Sequence, residues 1–178
     1  ERHSESLYGQ ALFPGGAGGD HFQPGTGKAS PILVYRWSAA RAALEMLERN
    51  QPPDPFDGHL LRYADPATGG EAFPTMGCRI QLLPKGFRGR AHRHTISSVY
   101  HVAEGSGNSV INSARFDWTK GDSIAVPGWC WHEHASDSGA VLFSVTDEPM
   151  LKPFAQVRTQ DFAEAHQTAN STFRESAA

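Results

Sequence analysis

The sequence predicts an all-β fold, a small barrel or sandwich, and three observations carry the prediction. Short runs rich in Val, Ile, Leu and aromatic residues follow one another from Leu60 to Val145, with Gly, Pro and Asp between them. No alternation of strands with long helices interrupts them, which disfavours a doubly wound α/β sheet. Four of the nine histidines fall in this region as two His-x-His pairs, His92 with His94 and His132 with His134. Residues i and i+2 of a strand share a face, so each pair can aim two imidazoles into one cavity.

The elements follow in chain order. Residues 1–30 are rich in Gly and Pro, hold no period of 2 or 3.6, and read as an irregular arm draped on a neighbouring surface, with His3 and His21 solvated. Pro31 to Trp37 reads as a short extended segment. Ser38 is placed to cap a helix whose Ala40, Ala43, Leu44 and Leu47 form one apolar face. Asn50 and the following Gln-Pro-Pro-Asp-Pro55 end it. Strands are expected over Leu60–Ala64, Cys78–Leu83, His92–His94 and Ser98–Ala103, the last closed by a turn at Glu104-Gly-Ser-Gly107. Further strands are expected over Ser109–Asn112, Arg115–Trp118, Ser123–Val126, Glu133–Ala135 and Ala140–Val145. Phe162 to Ala169 reads as a short helix and Ser171 to Ala178 as a loose tail. The division is an arm and linker helix over 1–58, a barrel over 59–150 and a C-terminal tail over 151–178.

The chain has 178 residues and a net charge of -3, with Lys and Arg scattered, so no basic stripe offers a nucleic-acid or anionic-membrane surface. No apolar run is long enough to span a bilayer. No secretory leader is read at the start, and a chain that begins at Glu1 reads as a piece of a longer one. Cys78 and Cys130 make no disulfide framework and read as apolar filler, with a ligand role for Cys130 the weaker alternative.

The framing of the histidines sharpens the fold. Gly86, five residues, then His92-Arg-His94 has the form of the first cupin motif; Gly121, Pro127 and His132 have that of the second. The expected architecture is therefore a cupin, a jelly-roll barrel or double-stranded β-helix, with a short N-terminal helix and an irregular N-terminal arm. His92, His94 and His132 are assigned as metal ligands, His132 being preferred to His134 by its spacing from Pro127. Imidazole suits Zn, Cu, Fe and Ni. Where many cupins add a glutamate, this chain has Ser98 and Val99. Three neutral ligands leave the metal its full charge, which favours an anionic substrate; an oxalate-type Mn site is disfavoured and Zn²⁺ is the alternative to iron. Strand parity turns Tyr100 inward with the first pair and sets Arg79, Gln81 and Leu83 on one face. Gln81 is then a polar partner in the cavity, Arg79 a candidate anchor for a substrate carboxylate, and His134 a group that accepts a proton from a substrate hydroxyl. Glu133, His101, Trp129 and Trp131 have the opposite parity, and His59 and His166 join no cluster.

Beyond the motifs, Asp54-Pro-Phe-Asp-Gly58, Leu61-Arg-Tyr63, Asp65-Pro-Ala-Thr-Gly-Gly70, Phe73-Pro-Thr-Met76 and Gln81-Leu-Leu-Pro-Lys-Gly-Phe-Arg-Gly89 resemble gentisate 1,2-dioxygenase. So do Glu104-Gly-Ser-Gly107, Phe116-Asp-Trp118, Val126-Pro-Gly-Trp129 and Val141-Leu-Phe-Ser144. The resemblance extends to the salicylate and 1-hydroxy-2-naphthoate ring-cleaving dioxygenases. It implies a two-barrel protein of which this chain is similar to the second barrel and its linker. It also implies Fe(II), O2, an aromatic hydroxy acid as substrate, and a homo-oligomer that includes a first cupin domain of the same polypeptide; the need for reduced iron and the sparse cysteines add the expectation of a cytoplasmic location. By that likeness His92, His94 and His132 bind Fe(II), and Gln81 and His134 contact substrate. The family's catalytic barrel carries an arginine where this chain has Tyr100, with Arg79 the candidate substitute. The competing expectation is a non-catalytic, metal-binding or structural cupin that supports a sister catalytic barrel.

Overall fold

A computed structural model describes residues 34–173 of the chain. The expected arm over 1–30, the first residues of the extended segment and the last five of the tail lie outside the described residues.

Alternating side chains build two walls. In the first, β1 (His59–Arg62), β2 (Gly77–Leu83) and β9 (Ala140–Thr146) lie side by side, followed by the first half of β5 (Ser98–Ile111) and β7 (Ser123–Val126). In the second, the later half of β5 pairs with β6 (Ala114–Thr119) and β8 (His132–Ser136). Strand β8 pairs in turn with β3 (Phe87–Arg88) and β4 (His92–His94), and β4 with β10 (Thr159–Asp161). All of these pairs are antiparallel; β11 (Ser171–Thr172) runs parallel to β6. The inward faces meet in a core of Leu83, Tyr100, Val102, Ile111, Trp118, Ile124, Val126, Ala140 and Leu142. This is the expected cupin barrel.

The expected turn at Glu104-Gly-Ser-Gly107 is instead the bend of one continuous strand. The register of β5 on β9 shifts between Val102 and Glu104, a bulge that re-aims the strand from the first wall to the second. Gly105 has φ +79 there, and a Cβ on it would strike the Gly139 carbonyl.

Helix α1 (Trp37–Asn50) starts before Ser38, the expected cap; the cap is Arg36, and no side chain bonds the first amides. Tertiary packing sets this boundary in place of a cap. Leu44, fully buried, meets Ile80, Leu82 and Val141 on the outside of the first wall. Burying that leucine contributes about 2 kcal/mol. Arg41 reaches Glu104 beside the bulge at 3.1 Å.

The tail differs most from expectation. After α2 (Glu148–Leu151) the chain returns as β10 along β4, and residues 162–169 form no helix. Their hydrogen bonds go to the barrel. The Phe162 amide donates to the Ala91 carbonyl at 2.9 Å, and the Ala91 amide donates to the Ala165 carbonyl at 2.6 Å. Gln167 accepts from the Ser113 amide and donates to the Val110 carbonyl. Ala165 sits at φ 67, which a continuing helix forbids. Ser171 and Thr172 likewise pair with β6 and are not a loose tail.

Gly107 lets β5, β6 and β8 close on one another. A Cβ there would collide with the Ala135 carbonyl and the Trp118 ring. Gly107→Ala is therefore expected to cost at least about 1–3 kcal/mol of stability, read as a lowered thermal midpoint. An unchanged midpoint would show that the walls give way at this point.

Candidate metal centre

Two strands position four imidazoles. His92 on β4 lies directly opposite His132 on β8, and the pleat turns His94 and His134 to the same side as their partners two residues away. Among the described residues, His92, His94 and His132 offer ligand nitrogens that all lie within 4.8 Å of one another. Their ring centroids are 4.3 Å apart for His92 and His132, 4.7 Å for His94 and His132, and 5.5 Å for His92 and His94.

Each ring has its Nδ1 against a main-chain carbonyl. The partners are Arg90 at 3.4 Å for His92, Ile96 at 2.8 Å for His94 and Cys130 at 3.0 Å for His132. A carbonyl only accepts, so Nδ1 donates and the lone pair remains on Nε2. The Nε2 of His132 is buried with no hydrogen-bond partner. Three Nε2 lone pairs converging in a buried pocket fit a divalent ion, and hydrogen bonds at the far nitrogen are the usual support of such ligands.

The electrostatics agree with that fit. Burial, reinforced by the neighbouring His92 and His134, pulls the His132 pKa down to about 2. Burial, then His92 and His94, pulls His134 down to about 3, and burial lowers His94 as well. At neutral pH these rings are uncharged, the form that coordinates metal.

His134 is not in the ligand cluster. Its ring lies 5.9 Å from that of His132, and its Nδ1 is 2.7 Å from the Ser109 hydroxyl. Tyr100 is buried and sets its ring edge-on to His134 at 4.6 Å; burial raises the pKa of its hydroxyl, which stays a phenol. Gln81 points into the barrel and donates from Nε2 to the Asp57 carbonyl at 3.3 Å. Arg79, expected as a free carboxylate anchor, is instead paired with Glu148, which also takes Lys152 at 2.9 Å. The thiol of Cys130 is no ligand here; its carbonyl orients His132. Trp129 and Trp131 enclose the guanidinium of Arg93 at 4.4 and 4.3 Å. Glu133 does not face solvent: the tail covers it, and it accepts from the Gln167 amide and lies 3.3 Å from His166, a pairing not expected for that histidine.

Sequence reasoning missed Asp57. The turn that carries it is held by Asp54, whose carboxylate accepts the amides of Phe56 and Asp57 at 2.8 and 3.1 Å. Gly58, at φ +70, lies so close to β2 that a Cβ would be 2.5 Å from the Leu82 carbonyl. Phe56 then packs edge-on to His92 at 5.2 Å. Burial raises the Asp57 pKa, and the nearby His92, His94 and Arg79 act against the rise. Its carboxyl group thus lies within electrostatic reach of the histidines. Strand parity has no purchase on a turn, and its Asp-Pro-Phe-Asp-Gly sequence signalled only a family likeness.

A jelly-roll barrel with three converging imidazoles on two strands defines a cupin with a candidate metal centre. Residues 79–146 match the Cupin domain family. The 5-aminosalicylate 1,2-dioxygenase of a Comamonas species is 41% identical over 135 residues, covering 75% of this chain and 36% of that protein. Gentisate 1,2 dioxygenase 1 of Aquipseudomonas alcaligenes is 40% identical over 121 residues, covering 68% and 35%. A crystal structure of salicylate 1,2-dioxygenase from Pseudoaminobacter salicylatoxidans, a mutant in complex with gentisate, superposes with a TM-score of 0.70 at 32% identity. That match covers 76% of this chain and 39% of the other. The matched stretch is a cupin barrel similar to those of the gentisate, 5-aminosalicylate and salicylate 1,2-dioxygenases, and the chain spans about a third of the length of the curated relatives it matches. Dioxygenase relatives and a three-histidine cluster together point to a metal cofactor.

Two outcomes follow from this geometry. His132→Ala should reduce bound metal, measured by elemental analysis after loading and dialysis, to near zero with an unchanged circular dichroism spectrum. Full metal retention would remove His132 from the ligand set. The second concerns pH. A histidine whose folded pKa is lowered binds its proton more readily when unfolded, so protonation favours unfolding. The metal-free protein should lose stability as pH falls below about 6.5, toward the folded values of about 2 and 3 for His132 and His134. Each group contributes a slope approaching ~1.4 kcal/mol per pH unit. Denaturant midpoints measured between pH 7.5 and 5 that do not fall would contradict the burial of these rings.

Proposed function

We propose that this chain is one barrel of an Fe(II)-dependent ring-cleaving dioxygenase acting on a hydroxylated aromatic carboxylic acid such as gentisate. The ring opens between the carboxyl-bearing and hydroxyl-bearing carbons. The observation that carries the reading is the set of three converging imidazoles, their ligand nitrogens within 4.8 Å of one another, in a stretch 41% and 40% identical to 5-aminosalicylate and gentisate dioxygenases.

In this reading His92, His94 and His132 hold the ion. Bound there, Fe(II) supplies the one-electron chemistry that lets O2 react with an aromatic ring. Both oxygen atoms end on the two carbons whose mutual bond breaks, so no external reductant is consumed. The residues of the chain bind, orient and exclude water. Three neutral ligands leave the centre positive and attractive to a carboxylate. Leu83, Val102, Val126 and Leu142 supply apolar walls that keep water from the reacting groups. Gln81, Tyr100 and His134 are the groups that would contact the substrate, with Arg79, paired with Glu148, as the candidate carboxylate anchor. Asp57 offers an acceptor for the proton that a substrate hydroxyl gives up.

The same reading takes residues 59–150 as the barrel, with 1–58 as arm and linker and 151–178 as the tail, of which β10 and β11 pair with barrel strands. It puts the chain in a homo-oligomer together with a first cupin domain of the same polypeptide, in the cytoplasm, with no nucleic-acid or membrane partner. The added domain is supported by relatives of which the matched segment is only 36% and 35%.

The test is anaerobic purification, elemental analysis, and O2 uptake with gentisate and salicylate. About one iron per chain is expected, with O2 consumed in step with ring opening and none consumed by His92→Ala. One metal per chain with no turnover would sink the catalytic role and leave a metal-binding barrel that supports a sister domain.

A further inference from the structure

Two groups behind His134 decide what it can do. Ser109 lies directly opposite His134 across the β5–β8 pair, so their side chains meet on the inner face. The Ser109 oxygen is 2.7 Å from His134 Nδ1 and 2.9 Å from the Trp118 indole nitrogen. All three residues are buried, with Ser109 at 0% and His134 at 1% exposure. An indole N–H only donates, so Trp118 fills one lone pair of the serine oxygen. The serine then has one proton to place, out of reach of water. His134 Nδ1 is the acceptor beside it. If Nδ1 carried a proton instead, the Ser109 hydroxyl would face two donors and leave its own proton unpaired in the core, which is strongly disfavoured for a buried donor.

We propose that Trp118 and Ser109 are positioning residues that fix His134 as its Nε2–H tautomer, so that His134 donates a hydrogen bond to an acceptor oxygen of a ligand held beside the three-histidine centre. The His134 Nε2 is buried and has no partner among the described residues, which leaves it for a ligand. This reverses the expectation that His134 accepts a proton: the ring is a donor. The ligand it favours has a carboxylate or phenolate oxygen on the His134 side. The identity of that ligand rests on the function proposed above; the place of the proton does not.

The experiment is long-range ¹H–¹⁵N correlation spectroscopy on protein labelled with ¹⁵N-histidine, metal-free and loaded with diamagnetic Zn(II). His134 is assigned by the signal lost in His134→Gln. The expected result is a pyridine-type Nδ1 and a pyrrole-type, proton-bearing Nε2. A proton-bearing Nδ1 would overturn the proposal. Ser109→Ala should move the His134 nitrogens toward a mixture of tautomers and weaken salicylate binding to the Zn(II) form about 2–10-fold, at unchanged metal content. Trp118→Phe, which removes the indole donor but keeps an aromatic ring, should shift them in the same direction. Nitrogen shifts unmoved in both variants would refute the relay. Wild-type protein that shows the predicted tautomer but binds no salicylate would overturn the substrate reading and uphold the tautomer.

Discussion

The candidate centre depends on the antiparallel register of three strands. Strand β8 pairs with β4 so that His92 faces His132, and with β5 so that Ser109 faces His134. A slip of β8 by one residue would turn His132 and His134 to the outside. The register is held from both flanks. On one side Gly107 allows β5, β6 and β8 to approach at van der Waals limits; on the other β10 pairs residue by residue with β4. The tail is thus part of the site's support although it contributes no side chain to the cluster. A three-residue strand such as β4 has little stability of its own, and the strap beside it supplies the missing partner.

Given that register, burial does the rest of the chemistry. Rings crowded in a dry pocket cannot all be charged, and the low pKa values of His132 and His134 follow first from desolvation and then from neighbouring histidines. Main-chain carbonyls fix which nitrogen of each ligand faces inward. Those carbonyls belong to the same strands or their immediate ends: Arg90 two residues before His92, Ile96 two after His94, Cys130 two before His132. The backbone that places a histidine therefore also chooses its tautomer. His134 differs because its Nδ1 meets a side chain, Ser109, and a hydroxyl can serve as donor where a carbonyl cannot.

Much of this was legible in the sequence because it is local or periodic. The His-x-His pairs, the glycine and proline that frame them and the inward parity of Gln81 and Tyr100 follow from a period of two, and the fold followed from the same pattern. Features that depend on distant partners were not legible. The continuity of β5 through Glu104-Gly-Ser-Gly107 requires knowing that Gly139 and Ala135 press on it. The helix expected over 162–169 lost to hydrogen bonds with Ala91, Val110 and Ser113, which no local propensity reveals. Arg79 kept its expected strand but found Glu148, 69 positions along the chain. Ser109 and Trp118 looked like two ordinary strand residues until their register with His134 gave them a shared hydrogen bond.

The charge of the cavity is set by what is missing as much as by what is present. By the family likeness an arginine was expected where Tyr100 stands, neutral and packed on His134. The guanidinium that could replace it is neutralised by Glu148. Asp57 adds an acidic group from the linker turn, and its raised pKa reflects the cost of keeping that charge away from water. With the fixed side chains close to balance, a bound divalent ion becomes the dominant local charge. An anionic ligand would then be recruited by the ion and oriented by neutral groups, His134, Gln81 and Tyr100. Under the proposed function, the ion would be bound before the organic acid, because the neutral groups around it give an organic anion little hold of their own.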